Sequence, residues 1–402
     1  MTKNMALAEK FAPKPSGAGE MFQLFRDGNS RTRAELTSLT GQSRSTIAAR
    51  LEMLSKLGLI GPAGEANSTG GRPPAVFAFT PDVKLILAVD LGATHMGIAV
   101  TDLAANVLEE QYEDCDIADG PEKILPRIAE IGKNLIKKTG RPLEDLAAAG
   151  IGLPGPVDHS MGRPINPPIM PGWDDADVPG MLSDELSVPV LVDNDVNIMA
   201  LGEHAKAYPD VDDVLFIKIA TGIGAGVIMD GELRRGHRGA AGDLGHIAVR
   251  GSEGHMCRCG NYGCLEALAS GMALVEQLAE AGMDVSEVRD VVEAVRGGDL
   301  TASSAVRDAG RQIGEVLATC VSLFNPSLIV VAGIMAEAGN HLLAGIREVV
   351  YRRSLPLATQ QLRIATTEVG SRAGIYGASA MAAEEVLSAA AVEAAVNRAA
   401  AS

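Results

Sequence analysis

The chain has 402 residues, 47% apolar and 21% charged, which suits a folded protein of two or three domains with a sizeable core. The net charge of −16 excludes a protein that grips nucleic acid over its whole surface. Residues 1–80, however, hold ten Lys/Arg against six Asp/Glu, a net +4, leaving −20 for the remainder, so only a basic head is expected to meet phosphates.

Other classes fall away on the same grounds. No apolar run approaches the ~20 residues of a membrane span. The opening segment, MTKNMALAEKFAPKPSG, lacks the apolar stretch of a secretory signal. Five cysteines in so long a chain build no disulfide scaffold, and a cytoplasmic protein is expected.

Residues 1–19 read as an arm. A short helix follows, with Met21, Phe22, Leu24 and Phe25 apolar, broken at Gly28-Asn29. RTRAELTSL predicts a second helix with Ala34 and Leu36 inward, and Thr40-Gly41 a turn. SRSTIAARLEMLSKLG predicts a third, whose Ile47, Leu51, Leu54 and Leu57 recur at amphipathic spacing before Gly58 ends it. Two strands flanking NSTGGRPP complete a winged helix-turn-helix, residues 1–80, with the third helix placed for a DNA major groove. Ser43, Arg44, Ser45 and Thr46 at its start are candidates for base edges and Arg50 for a phosphate, while Gly71 and Arg72 form a wing tip suited to a narrow minor groove.

Beyond Thr80-Pro81 the order is strand then helix, twice over, which predicts two α/β lobes around a cleft. The first lobe covers 81–195 and the second 196–370, with long helices at 121–139 and 194–207 and a closing helix from 371 that returns to the first lobe. The alanine-rich end is either helical or frayed.

Two Gly-rich hairpins carry Asp90, Gly92 and Thr94, and Thr221, Gly222 and Gly224. Glycine lets backbone amides approach phosphate oxygens, although tight hairpins also occur for purely structural reasons and neither matches a P-loop. Asn194-Asp195 ends a strand before a helix. Asp195 there is either a base for a substrate hydroxyl attacking a γ-phosphate or, with Asn194, a helix cap. The sharpest pattern is GDLGHIAVRGSEGHMCRCGNYGCLE, where His246, Cys257, Cys259 and Cys264 suit a tetrahedral zinc site. Four protein ligands close such a site, so the zinc is expected to be structural, with His255 a second choice to His246. Cys115 and Cys320 are expected in the core.

In order along nearly the whole length, these motifs resemble the ROK family of repressors and kinases: AVDLGATH, GIGLPGPVD, VDNDVN, ATGIGAGVI, and GDLGH with CRCGNYGCLE. The resemblance implies a bilobed, actin-like (ribonuclease H-like) ATPase fold bearing a structural zinc site and, in the family's regulators, a winged helix. It further implies that Asn194, Asp195, Asp243, His246 and Glu266 meet a sugar, that Asp195 is the catalytic base in kinase members, and that zinc orients His246 and Glu266.

Several positions depart from the kinase pattern. Ala93 stands for a glycine and His95 for a lysine in the first hairpin. Asp243 replaces a longer glutamate, and Ile169 an asparagine, with Asn166 three residues upstream. Ala332-Gly333 replaces a Gly-Gly pair. These changes weaken binding of Mg–ATP or ordinary glucose. The expectation is therefore a repressor of carbohydrate genes that binds operator DNA as a homodimer or homotetramer and responds to a sugar or sugar phosphate. Two rivals stand beside it: a bifunctional, ATP-dependent sugar kinase, and a regulator governed by a protein partner with a vestigial cleft.

Overall fold

The computed structural model describes residues 17–65, 74–249, 252 and 254–401; Gly71 and Arg72 lie outside the described residues. The head comprises α1 (Ala18–Gln23), β1 (Arg31–Thr32), α2 (Arg33–Thr40), α3 (Arg44–Lys56), β2 (Ile60–Glu65) and β3 (Ala75–Phe79), with the strands ordered β1-β3-β2. Thr32 and Glu35 form a reciprocal capping box at the start of α2. Ser43 caps α3 by accepting from the Thr46 N–H at 3.2 Å. Ile47, Leu51 and Leu54 are buried as their spacing predicts, and Leu57 is half-buried. Ala34 is a correction. It is exposed, because the inward face of α2 runs from Leu36 to Thr40, four residues on, and Ala34 lies off that stripe.

The body holds two five-stranded sheets. The first is ordered β10-β7-β4-β5-β6, from β4 (Leu85–Leu91), β5 (His95–Asp102), β6 (Val107–Asp114), β7 (Leu146–Leu153) and β10 (Val190–Asn194). Between β7 and β10 lie a small ribbon, β8 (Val157–Asp158) with β9 (Arg163–Pro164). Helices α4 (Pro121–Lys138) and α5 (Val178–Leu186) bury their apolar stripes on one face of the sheet. The second sheet is ordered β13-β12-β11-β14-β15, from β11 (Val214–Ile219), β12 (Ile223–Met229), β13 (Glu232–Leu233), β14 (Leu328–Ala332) and β15 (Arg363–Thr366). In each sheet a hairpin, β4–β5 or β11–β12, is joined by strands running parallel to its first member.

Two helices fill the space between the sheets. In α6 (Asp195–Ala207), Ile198 packs against the first sheet's Ala88 and Ala99, while Val196, Met199 and Ala200 pack against Phe216 and Ile228 of the second. The Ala373–Leu387 helix crosses it so closely that a Cβ at Gly377 would overlap the Ile198 carbonyl, and one at Gly202 the Ala373 carbonyl. Small residues at this crossing let the two backbones meet.

On the outer face of the second sheet lie α7 (Glu266–Ala269), α8 (Gly271–Glu280), α9 (Val288–Arg296), α10 (Leu300–Phe324) and α11 (Asn340–Arg353), followed by a short α12 (Pro356–Thr359). Cys320 is buried in that core, and Cys115 packs half-buried against the first. The crossing helix, Ala373–Leu387, is α13, and α14 (Ala389–Ala401) follows.

Helix α14 is neither frayed nor free. Its Val392 and Val396 join Leu387, Ala383 and the head's Met21, Phe22, Leu36 and Ile47 in a single apolar cluster, together with Ile86 and Ala148 of the first sheet. Glu393 accepts from the Gly19 N–H at 2.8 Å, the Gln23 side chain donates to the Leu387 carbonyl, and Arg26 pairs with Glu384 at 2.7 Å. A head of this size buries too little surface by itself to be strongly stable, and sharing a core with the body supplies the remainder.

Candidate functional site

The hairpin tips face each other across a cleft of about 290 Å³. It is lined by Gly92, Ala93, Thr94 and His95 from the first hairpin and Thr221, Gly222 and Gly224 from the second. Asn194, Asp195, Asn197, Lys218, Asp243, His246 and Glu266 also face it. The expected sugar-side residues are thus brought together although they lie up to 72 positions apart in sequence.

Asn194 is the cap: its Oδ1 accepts from the Val196 and Asn197 N–H groups at 2.9 and 3.3 Å, and its Nδ2 donates to the Gly155 carbonyl at 2.9 Å. Asp195 opens α6 inside the cleft. One oxygen accepts from the Val196 N–H at 2.9 Å, and the other is 2.6 Å from the Lys218 ammonium. Lys218 carries no signal in the sequence beyond its place in an apolar strand.

Asp193, 1% exposed, is tied to Arg235 at 2.5 Å and holds the Asn197 side-chain amide at 2.8 Å. That leaves Asn197 Oδ1 buried at the cleft wall, without a hydrogen-bond partner among the described residues. Asp90 is also buried; desolvation pushes its carboxyl pKa up, against the opposing pull of the Lys218 charge.

The second hairpin is braced from the metal loop. Glu266 accepts from the Ile223 N–H at 3.0 Å and fills the space a Cβ at Gly222 would need. Gly224 is close to Val196 of α6, so the glycines that read as phosphate contacts also serve packing. Ile169 lines the cleft, whereas Asn166 is exposed and absent from its lining, so Asn166 does not restore the missing amide.

Ligand atoms of His246, Cys257, Cys259 and Cys264 all lie within 4.8 Å of one another. Cys259 and Cys264 sulfurs are 3.7 Å apart, and Cys257 Sγ is 3.6 Å from His246 Nδ1. A tetrahedral ion with ordinary metal–sulfur and metal–nitrogen bonds requires edges of about 3.8 and 3.6 Å, so the four residues fit a metal. Burial pushes the Cys264 thiol up to about 12, and its hydrogen bonds with Cys259 and Cys257 add to the rise. His255 is exposed and outside the cluster. With Nδ1 at the cluster, His246 turns Nε2 toward the cleft, 3.8 Å from Asp243 Oδ1.

At the head, Arg44 and Ser45 are exposed at the start of α3, and Thr46 and Arg50 are half-exposed. Ser43 Oγ lies 2.8 Å from both Ser45 Oγ and Thr46 Oγ1, and Arg50 donates to Gln42 at 2.6 Å. Among the described residues no helix is long and apolar enough to cross a membrane.

Two hairpin-led sheets around a cleft, with a winged helix-turn-helix on the first, define a regulator built on the actin-like sugar-kinase fold. Residues 86–385 match the ROK family, and the chain belongs to it. It is 28% identical to the xylose repressor of Caldicellulosiruptor bescii, over 89% of this chain and 92% of that protein. The structure is similar to that of a ROK family transcriptional regulator, a homologue of E. coli Mlc, with a TM-score of 0.81, 26% identity and 95% and 98% of the two chains covered. It is also similar to a ROK family glucokinase from Streptomyces griseus solved with glucose and AMPPNP, at TM-score 0.64 and 32% identity, over 74% of this chain and 99% of that one.

Proposed function

We propose that this protein is a sugar-responsive transcriptional repressor of carbohydrate genes, acting in the cytoplasm as a homodimer on a pseudo-palindromic operator. Helix α3 enters the major groove, with Ser43, Arg44, Ser45 and Thr46 at base edges and Arg50 at a phosphate. The sugar lies in the cleft against Asn194, Asp195, Asp243, His246 Nε2 and Glu266. The metal is zinc, held by His246, Cys257, Cys259 and Cys264; with no open position it orients His246 and the loop leading to Glu266.

The observation that carries this reading is the continuous packing from cleft to head. Asp195 begins α6, α6 crosses α13, α13 leads into α14, and α14 shares its core with α1 and α3. A sugar that changes the angle between the lobes shifts α6 against α13 and thereby moves the head. It changes operator affinity only as far as it prefers one arrangement over the other. The similarity to a xylose repressor and to an Mlc homologue supports the same reading.

The test is operator binding, by fluorescence anisotropy, with and without a panel of neutral sugars and sugar phosphates. At least one should weaken binding more than about 5-fold, the lower end of ordinary allosteric coupling. Operator affinity indifferent to every member of the panel would refute the proposal.

A further inference from the structure

Among the described residues that line the cleft, the one ammonium, that of Lys218, has no part in the roles above. Lys218 projects from β11 with Nζ at Asp195 Oδ2, and the carboxylate of Asp90, buried at the end of β4, is a second negative charge acting on it. The two carboxylates act together on Lys218: burial draws its pKa down, but the charges of Asp195 and Asp90 outweigh burial and leave it raised. On the first hairpin, the imidazole of His95 covers the face of Gly92 that a side chain would fill. A phosphoryl-transfer cleft instead needs a divalent metal beside its carboxylates to neutralise the transferring phosphate.

The geometry points to Lys218 as the resident cation of the cleft, standing beside Asp195 and within the field of Asp90 where a nucleotide-borne metal would have to sit, so that the cleft takes an uncharged sugar alone. A divalent ion would meet a like charge already hydrogen-bonded to the carboxylate it needs. The acids lining the cleft, Asp195, Asp243 and Glu266, outnumber the single ammonium, so a sugar phosphate adds repulsion where a neutral polyol adds only hydrogen bonds. Asp195 then acts as a hydrogen-bond acceptor for a hydroxyl, and Lys218 has donors left for a hydroxyl oxygen. This inference rests on the sugar-responsive reading and specifies its ligand class.

The experiment is calorimetry and thermal unfolding of the full-length, metal-loaded protein with Mg²⁺, Mg–AMPPNP, glucose, xylose, N-acetylglucosamine and glucose 6-phosphate. The wild type should bind a neutral sugar, show no heat with millimolar Mg–AMPPNP, and gain no stability from Mg²⁺. Lys218→Ala leaves two buried carboxylates without their cation, so its unfolding midpoint should fall and Mg²⁺ should raise it again. The same variant should bind Mg–AMPPNP at least tenfold more tightly than the wild type, while Lys218→Arg should remain closed to it.

Wild-type binding of Mg–AMPPNP overturns the proposal, as does glucose 6-phosphate binding more tightly than every neutral sugar. A folded Lys218→Ala that gains neither Mg²⁺ rescue nor nucleotide also overturns it. If Lys218→Ala does not fold, the wild-type and Lys218→Arg titrations decide. A neutral sugar that binds without altering operator affinity refutes the repressor reading while leaving the assignment of Lys218 intact.

Discussion

Gly19→Ala tests the joint between the head and the body. In a helix with nothing opposite, this change stabilises by up to about 1 kcal/mol. Here the added Cβ would lie 1.9 Å from the Ala389 carbonyl oxygen and 2.9 Å from its carbon. Restoring van der Waals separation requires α1 and α14 to part by about 1.5 Å. That movement costs about 2 kcal/mol as overpacking and loses the Gly19 hydrogen bond to the Glu393 carboxylate, worth about another 2. The net is about 3 kcal/mol against docking, opposite in sign to the propensity effect. At 1.36 kcal/mol per decade, amide hydrogen exchange in 389–398 should accelerate about 100-fold. Operator binding should lose its response to sugar while sugar binding itself persists. Unchanged or increased protection of α14, with a normal response, would show that this joint does not couple cleft to head.

Further outcomes follow from the metal loop, the head and the β8–β9 ribbon. Cys259→Ser should lower bound metal and weaken sugar binding at least tenfold, read by metal stoichiometry and calorimetry; a metal-poor variant with wild-type sugar affinity would end the orienting role assigned to the loop. Arg44→Ala should cost about 1–3 kcal/mol on operator and less on random DNA, whereas Arg72→Ala should chiefly reduce A·T preference; equal losses from Arg44→Ala on both DNAs would refute base reading. The Ser160 hydroxyl and the Arg238 guanidinium hold Asp158 down at about 2. A carboxylate lowered on folding stabilises above its unfolded pKa, and that contribution fades as pH falls from about 4 toward 2. Arg238→Ala should therefore raise the Asp158 titration midpoint in NMR, and an unshifted midpoint would remove Arg238 as a cause.

Whatever depends on near neighbours was legible in the sequence. Ile47, Leu51 and Leu54 lie on one stripe because a helix repeats every 3.6 residues, and Ser43 caps because its side chain reaches only the next turn. His246, Cys257, Cys259 and Cys264 span nineteen residues, close enough for spacing and ligand chemistry to announce the cluster. The family motifs likewise placed Asn194, Asp195, Asp243, His246 and Glu266 around one cleft.

Contacts across long separations were decided only by the tertiary structure. Ala34 turned outward because the head's core, not helix composition, selects which stripe is buried. The alanine-rich end reads as helix or fraying until Val392 and Val396 meet Met21 and Phe22 across the chain. Lys218 looks like one polar residue in an apolar strand, and only the folding of β11 beside the start of α6 sets its ammonium on Asp195. Sequence periodicity records which face an element buries, but a contact between two elements is chosen when their faces meet, and that choice is made by packing and charge in three dimensions.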